Sequence, residues 1–354
     1  MAPSPTAEVE NGWPARAEAL AAGRDFLRTT GGTVAIACDS DVDGLAAAVI
    51  VERTLADLGA TPHVLPARRG EHVHRDSMRA RIEELAPSAL VVVDMGSRPE
   101  PILPGLPTLV IDHHHAAAGL PPGAVVVNGF DRPPVAPASV LAWVVCRGLA
   151  PGDAGAWLAA LGAVADFGSA RAFEGLLGVR AGGAAWTKAV GLLNAARRAP
   201  APDPRIALEV LRAAGRVQDI TSGAVPGTRT LERQREAVRR EIERCSRMPP
   251  AIAGDVALIR CTSAAQVHPI LAIRWAQRLR PRIVVAANDG YLPGRVNFAA
   301  RCAADVDLVA WLRGLSFTPG VDADYANGHA RATGGSLTVA DFERFLTAVG
   351  FGQA

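Results

Sequence analysis

The sequence predicts an α/β protein of two domains, an N-terminal domain with a parallel sheet and a smaller C-terminal α/β domain. In the first half of the chain, short continuous apolar runs alternate with helical patterns, which is typical of strands buried on both faces of a parallel sheet. The same alternation returns after residue 250, beyond a charged helix and a Pro-Pro pair. With 354 residues, the chain is long enough to build two hydrophobic cores.

The composition excludes several classes of protein. Apolar residues make up 49% of the chain, the net charge is only +2, and no apolar run reaches the roughly 20 residues that span a bilayer. The N-terminal residues lack the basic and apolar segments of a secretory signal, so we expect a cytoplasmic protein with no membrane partner. Any polyanion must bind locally, because there is no overall positive field. The five cysteines are scattered and form no CxxC pair, which argues against a disulfide framework or a thiolate zinc site.

The elements of the first domain follow from these patterns. The run TVAIAC at 33–38 and the run ALVVV at 89–93 are the clearest buried strands. We predict, in chain order, helix 13–28, strand 33–38, helix 45–58, strand 63–65, helix 75–85, strands 89–93, 108–111 and 124–127, and helices 136–146 and 154–164. Residues 170–225 are predicted to be mostly helical.

A charged helix over 231–247 has one apolar face and is too short for a self-sufficient coiled coil, so we interpret it as a connection between domains. Beyond it we predict strand 256–260, helix 264–279, strands 283–287 and 295–299, and helices 305–312 and 339–349. The predicted domains are therefore 1–195, a helical linker 196–250, and 251–354.

Two short polar runs carry the chemistry. Asp39-Ser40-Asp41-Val42-Asp43-Gly44 follows one predicted strand, and Asp112-His113-His114 follows another. Carboxylates and imidazoles are typical ligands of divalent metals, and the carboxyl ends of parallel strands are where ligands bind. A calcium loop is the main alternative for the first run, but Ile50 stands where its bidentate glutamate belongs. Together, the two runs indicate a two-metal hydrolytic site.

These motifs, in this order, resemble the DHH phosphoesterase superfamily and in particular its RecJ-like branch. The first run is similar to the DxDxDG motif of RecJ-type nucleases, and Asp94, Asp112-His113-His114 and Asp166 match the motifs that follow. Further along, Arg301 in NFAARC and the segment 327–334 (NGHARATG) resemble the DHH-associated domain, as does the helix and Arg-Pro of 268–281. The resemblance covers most of 33–166 and 256–349.

The resemblance implies a role for each of these residues. One metal ion would be held by Asp39, Asp41 and Asp94, and a second by Asp94 together with the following residues: Asp43, His113 and Asp166. A ligand set of oxygen and imidazole without thiolate suits Mn²⁺, with Mg²⁺ or Co²⁺ as substitutes.

The remaining matched residues would act on the substrate. His114 would face the substrate phosphate, and Asp112 would orient a neighbouring imidazole. Arg301 and His329 would bind phosphate oxygens, and the backbone at Gly328 and Gly334 would approach the phosphate closely. His115 has no counterpart in the family pattern and is interpreted as a loop residue.

The chain also departs from the family pattern at four positions. Ala37 stands where many DHH enzymes carry a histidine, while Asn327, Thr333 and Cys302 replace a common glycine, alanine and serine. The last three changes bear on affinity and on substrate length more than on hydrolysis.

Three functions remain open from the sequence. The first is a manganese-dependent phosphodiesterase, a RecJ-like exonuclease acting on single-stranded nucleic acid or short oligonucleotides. The second is a phosphoesterase of small nucleotides such as cyclic dinucleotides or phosphoadenosine phosphate. The third is an inactive RecJ-related scaffold. Loss of metal ligands would mark such a scaffold, but every predicted ligand position carries a suitable residue. Aromatic residues are only 5% of the chain, so no base-stacking platform can be identified from the sequence.

Overall fold

The computed structural model describes residues 13–96, 98–115, 119–151, 155–320 and 324–352, and for residues 327–329 it describes the backbone only. By their contacts the residues form two units. The first unit is Met1–Arg197 with Asp203–Glu232, and the second is Arg198–Pro202 with Arg233–Ala354. The division falls inside the charged helix and within the segment that we predicted as a linker. The predicted boundaries at 195 and 251 stay predictions.

The first unit begins with five strands and their covering helices and continues with short helices. Its elements are α1 Ala17–Thr29, β1 Thr33–Cys38, α2 Val42–Asp57, β2 Thr61–Pro66, α3 Asp76–Glu83, β3 Ala89–Val93, β4 Thr108–Asp112, β5 Val125–Asn128, α4 Ala138–Cys146, α5 Ala156–Phe167, a 3₁₀ turn Arg171–Phe173, α6 Glu174–Leu177, α7 Ala184–Leu193, α8 Ala195–Arg198, α9 Pro204–Ala213 and α10 Val217–Thr221. The predicted bounds of β1 and β3 are those of the structure.

The five strands form one parallel sheet in the order β2-β1-β3-β4-β5. Alternate residues of β1 enter two different cores. Val34 and Ile36 pack with α1, α2, α4 and α5, whereas Ala35 and Ala37 pack with α3. Helices therefore cover both faces, which confirms the parallel, doubly covered sheet that the continuous apolar runs predicted. Each fully buried large aliphatic side chain contributes about 1.5–3 kcal/mol to this packing.

The second unit carries a mixed sheet of six strands in the order β10-β11-β9-β8-β7-β6. Its elements, together with the charged helix α11 that spans the division, are α11 Thr228–Cys245, β6 Ala251–Ala253, β7 Val256–Cys261, α12 His268–Arg278, β8 Ile283–Leu292, β9 Arg295–Cys302, α13 Leu308–Arg313, β10 Asp324–His329, β11 Ala332–Thr338 and α14 Val339–Ala348. One face of the sheet packs on α11 and α12, and the other packs on an aromatic cluster that includes Phe298, Phe342 and Phe345. Strands β6, β10 and β11 were not predicted from the sequence.

Two observations concern the charged helix and the expected absence of a membrane-spanning segment. The outer face of α11 is ion-paired, for example between Arg239 and Glu236 at 2.6 Å and between Arg244 and Glu241 at 2.7 Å. Within the part of the chain that the structure describes, no helix is both long enough and apolar enough to cross a membrane.

Candidate metal centre

Three aspartates lie where three neighbouring strands end. Asp39 follows β1 and its backbone N–H donates to Val93 O of β3, while the backbone N–H of Asp94 donates to Ile111 O of β4 at 3.1 Å. Asp112 is the last residue of β4. Because β1, β3 and β4 are adjacent and parallel, these carboxylates meet at one edge of the sheet, as the sequence predicted.

The first acidic run bends sharply from β1 into α2. Asp41 is the N-cap of α2, and its side chain accepts a hydrogen bond from the Gly44 N–H at 3.1 Å. A Cβ at Gly44 would lie 2.8 Å from the backbone oxygen of Asp39, so only glycine permits this close approach. The alternating aspartates and the closing glycine of the run thereby place Asp39, Asp41 and Asp43 around one turn.

Asp43 is fully buried and is held by the start of another helix. Its carboxylate oxygens accept the backbone N–H groups of Ala138 at 2.7 Å and Ser139 at 3.1 Å, in the first turn of α4. The helix dipole and these donors favour a negative charge there. Gly162 of α5 lies directly against the pair, since a Cβ at that position would be 2.3 Å from Asp43 Oδ1 and 2.1 Å from Ser139 Oγ.

The two histidines that follow β4 are oriented differently. Asp112 Oδ1 accepts the backbone N–H groups of His113 and His114 and lies 2.8 Å from His114 Nδ1. His113 is buried, and its Nε2 lies 3.2 Å from Asp94 Oδ1 and 3.5 Å from Asp166 Oδ2. His114 is 34% exposed at its side chain. His113 therefore faces the carboxylates, while Asp112 fixes the ring of His114.

The structure brings all six predicted metal ligands together. Their donor atoms form three sets within each of which the atoms lie within 4.8 Å of one another. The sets are Asp39, Asp41 and Asp94; Asp43, His113 and Asp166; and Asp94, His113 and His114. The first set contains the same residues as the first predicted ion site. The second set contains the residues of the second predicted site except Asp94, which was expected to bridge the two ions. Among the described residues, no cysteine belongs to any of these three sets.

The packing of carboxylates against one another perturbs their protonation. Burial and the charge of Asp41 raise the pKa of Asp43 to about 7. The same two causes raise the pKa of Asp94 well above its usual range, and burial with Asp43 does so for Asp166. Burial is the largest single effect on Asp41 and raises its pKa, but the guanidinium of Arg197, the hydrogen bonds from Gly44 and Asp94 and the charge of His113 together outweigh burial and lower the pKa. Carboxylates that repel one another in this way favour a cation between them, because the cation stabilises their charged forms.

The donor set fits divalent metal ions. Asp94 Oδ1 is buried and accepts no hydrogen bond from the described residues, although His113 Nε2 lies 3.2 Å away. Asp94 also adopts φ of 61°, a left-handed conformation that is uncommon outside glycine. The neighbouring thiol of Cys38 is buried, and burial together with Asp39 raises its pKa well above the usual value. The available ligands are therefore hard oxygens and imidazole nitrogens, which suit Mn²⁺ or Mg²⁺.

Sequence reasoning missed one cation at this centre. Arg197, at the end of the first unit's α8, lies with Nη2 3.4 Å from Asp41 Oδ2, and its Nε donates to Asn194 Oδ1 at 3.1 Å. Arg197 and Asp41 are 156 residues apart, and nothing in the local pattern of α8 distinguishes this arginine from its neighbours.

The four predicted substrate residues all lie in the second unit. Arg301 of β9 donates to the backbone oxygens of Ala300 at 2.7 Å and Thr333 at 3.2 Å, and burial lowers its pKa. A Cβ at Gly334 of β11 would lie 2.2 Å from Phe298 O, so the approach of β11 to β9 itself requires this glycine. Gly328 and His329 lie on β10, paired with Thr333 and Ala332, and the structure describes only their backbone.

Fold and site together define an α/β protein with an acidic and imidazole-lined centre at the carboxyl edge of a parallel sheet. No protein-family model matches the chain, and no curated protein matches it. Several solved structures do. RecJ from Thermus thermophilus with Mn²⁺ gives a TM-score of 0.67 at 21% identity, over 94% of this chain and 53% of that one. The same protein with Mg²⁺ gives 0.61 at 20% identity, over 94% and 51%. An exonuclease RecJ bound to manganese gives 0.62 at 21% identity, over 94% and 92%.

These likenesses show that the chain has the fold of these RecJ structures, which confirms the fold that the resemblance implied. The chain spans about half the length of the Thermus protein.

Proposed function

We propose that this protein is a metal-dependent phosphodiesterase that hydrolyses single-stranded nucleic acid or short oligonucleotides, as a RecJ-like exonuclease. One observation carries the proposal: seven carboxylate and imidazole side chains converge in three overlapping sets at the carboxyl edge of a parallel sheet. A similar fold in proteins solved with Mn²⁺ and Mg²⁺ supports the coarser part of it, a phosphoesterase that uses divalent cations.

We assign the ligands by the sets that the side chains form. Asp39, Asp41 and Asp94 would hold one ion, and Asp43, His113 and Asp166 would hold a second, with Asp94 next to both groups. Mn²⁺ is the ion we expect, with Mg²⁺ or Co²⁺ as substitutes. Two bound cations would supply an activated water and would stabilise the charge on the leaving oxygen.

His114 would act on the substrate rather than on the metal. Burial lowers its pKa, but the hydrogen bond to Asp112 and the surrounding carboxylates outweigh burial and raise the pKa to about 9. In the metal-free protein at neutral pH, the ring therefore carries a proton on each nitrogen, with Nδ1–H held by Asp112. The Nε2–H group would donate a charge-assisted hydrogen bond to a phosphate oxygen.

The test is a substrate panel with purified protein. Labelled single-stranded DNA, dinucleotides, cyclic di-AMP and phosphoadenosine phosphate are each incubated with EDTA and then with excess Mn²⁺. We expect hydrolysis of the oligonucleotides only when metal is restored. Activity after exhaustive chelation would contradict the metal assignment, and preference for the cyclic or bisphosphorylated nucleotide would favour the small-nucleotide function.

Matched variants separate catalysis from scaffold. Asp94→Asn removes the carboxylate that lies between the two ligand groups, whereas Asp25→Asn alters a carboxylate that is 68% exposed on α1. We expect Asp94→Asn to lose more than about 100-fold in turnover and Asp25→Asn to lose nothing measurable. A wild-type protein that is inert with every substrate and metal would instead indicate an inactive scaffold.

A further inference from the structure

An exposed aromatic pair lies beside the two histidines of the centre. The rings of His115 and Phe130 are stacked, with centroids 4.5 Å apart and planes inclined by 28°. Phe130 is 39% exposed and His115 is also exposed. A single exposed phenylalanine is ordinary on a protein surface. A functional role for this pair must therefore be argued from its location and from the contacts that hold it.

The pair is fixed to the same strand ends that position the centre. Asn128, the last residue of β5, donates from Nδ2 to His114 O at 3.0 Å and accepts the Phe130 N–H on Oδ1 at 2.8 Å. Asn128 is in register with Asp112, and the Gly129 N–H donates to Asp112 O at 3.2 Å. One amide side chain therefore ties the loop of His114 and His115 to the peptide of Phe130.

The backbone ahead of Phe130 is also constrained. A Cβ at Gly129 would lie 2.9 Å from Pro14 O, so the chain that enters α1 packs directly against this turn. The aromatic pair is thus held by hydrogen bonds and by close backbone packing, and His115 is next in sequence to His114. Exposed aromatic faces of this kind stack on nucleobases regardless of base identity.

We propose that Phe130, backed by the ring of His115, stacks on a nucleobase of the substrate and makes the site selective for nucleotides over bare phosphate esters. This inference rests on the proposed function. It adds recognition of the nucleobase, which the metal centre does not contact. The metal centre binds the phosphate through its charge alone, whereas Phe130 and His115 contact the flat apolar face of a base. His115, interpreted from the sequence as a plain loop residue, becomes a positioning residue for Phe130.

The experiment compares tetrathymidylate with a tetramer of abasic tetrahydrofuran residues, each with Mn²⁺. The measured quantity is the ratio of kcat/KM for the two substrates, because a purely structural defect lowers both alike. Phe130→Ala is expected to lower this ratio about five- to 150-fold, mainly through KM, the range found when a base loses one stacking partner. Phe130→Tyr should restore it, and Phe130→Leu should not.

Ile273→Ala is the control, since Ile273 is an apolar residue of α12 that is 50% exposed and lies in the second unit. It should leave the ratio unchanged. A Phe130→Ala ratio within twofold of wild type, or a ratio that Leu restores as well as Tyr, overturns the stacking role while leaving the proposed function standing. If wild-type protein cleaves neither tetramer, the proposed function fails and this inference fails with it.

Discussion

Gly162→Ala is a small change that tests how the buried carboxylate of Asp43 is held. The added methyl group would overlap Asp43 Oδ1 at 2.3 Å and Ser139 Oγ at 2.1 Å, and helices α4 and α5 meet there in a closed core. Relieving the overlap requires Asp43 to leave one of its two backbone donors, or the helices to separate. Either way the metal-free protein should lose stability, and the proposed second ion site should lose a ligand position.

The cost can be assembled from three effects. Overpacking a core costs about 1–3 kcal/mol, and losing one hydrogen bond to a charged group costs about 1.5–3 kcal/mol. Alanine returns about 1 kcal/mol through its higher helix propensity. We expect a net loss of about 3 kcal/mol, which lowers Tm by about 6–12 °C for a unit of this size.

Thermal unfolding of metal-free protein, followed by circular dichroism, gives the first readout, and calorimetric titration with Mn²⁺ gives the second. Gly175→Ala is the matched control, because it also lies in a helix of the first unit and a Cβ there meets nothing within 4 Å. We expect the control to melt at or slightly above wild type. If Gly162→Ala behaves like the control and binds Mn²⁺ normally, Asp43 is not held by the packing of α4 and α5.

Two further predictions concern protonation and the second unit. Asp43, Asp94, Asp166 and His114 have raised pKa values, and they outnumber His74 and His268, whose burial lowers their pKa to about 4 and about 3, so the folded metal-free protein holds more protons than the unfolded chain. Its Tm should therefore fall as pH rises from 5.5 to 8, and saturating Mn²⁺ should remove or reverse that slope; a metal-free Tm that rises over this range would contradict the protonation shifts. Arg301→Ala and His329→Ala should raise KM for an oligonucleotide about ten- to a hundred-fold while metal content stays unchanged by elemental analysis, and loss of metal would instead place these residues in the metal site or in folding.

Much of the first unit could be predicted because its strands are buried on both faces. The runs that became β1 and β3 contain no polar residue apart from Thr33 and Cys38 at the ends of β1, so their limits follow directly from the sequence. Strands β10 and β11 were missed because DYANGH and ATGGSLT read as turns. Their stability comes from pairing with β9, where Gly334 permits a close approach that no local pattern reveals.

The candidate site shows the same division. Asp39, Asp94 and His113 could be found because each follows a strand, and the topology of a parallel sheet brings such positions together. Arg197 and Phe130 could not be found, since both reach the site through contacts between segments that are distant in the sequence or through a side-chain bridge from Asn128. Spacing within a motif carries no information about such contacts.

The wide separation of the ligands along the chain has a consequence for assembly. The sheet is complete at Asn128, yet Asp166 joins the centre only when α5 has packed on α2 and α4. No short peptide of this chain carries the full ligand set, so the complete proposed centre forms only with the tertiary structure. The proposed second ion site would therefore be complete only after residue 166 has been synthesised, and a metal ion bound there would report the integrity of a tertiary structure that already exists.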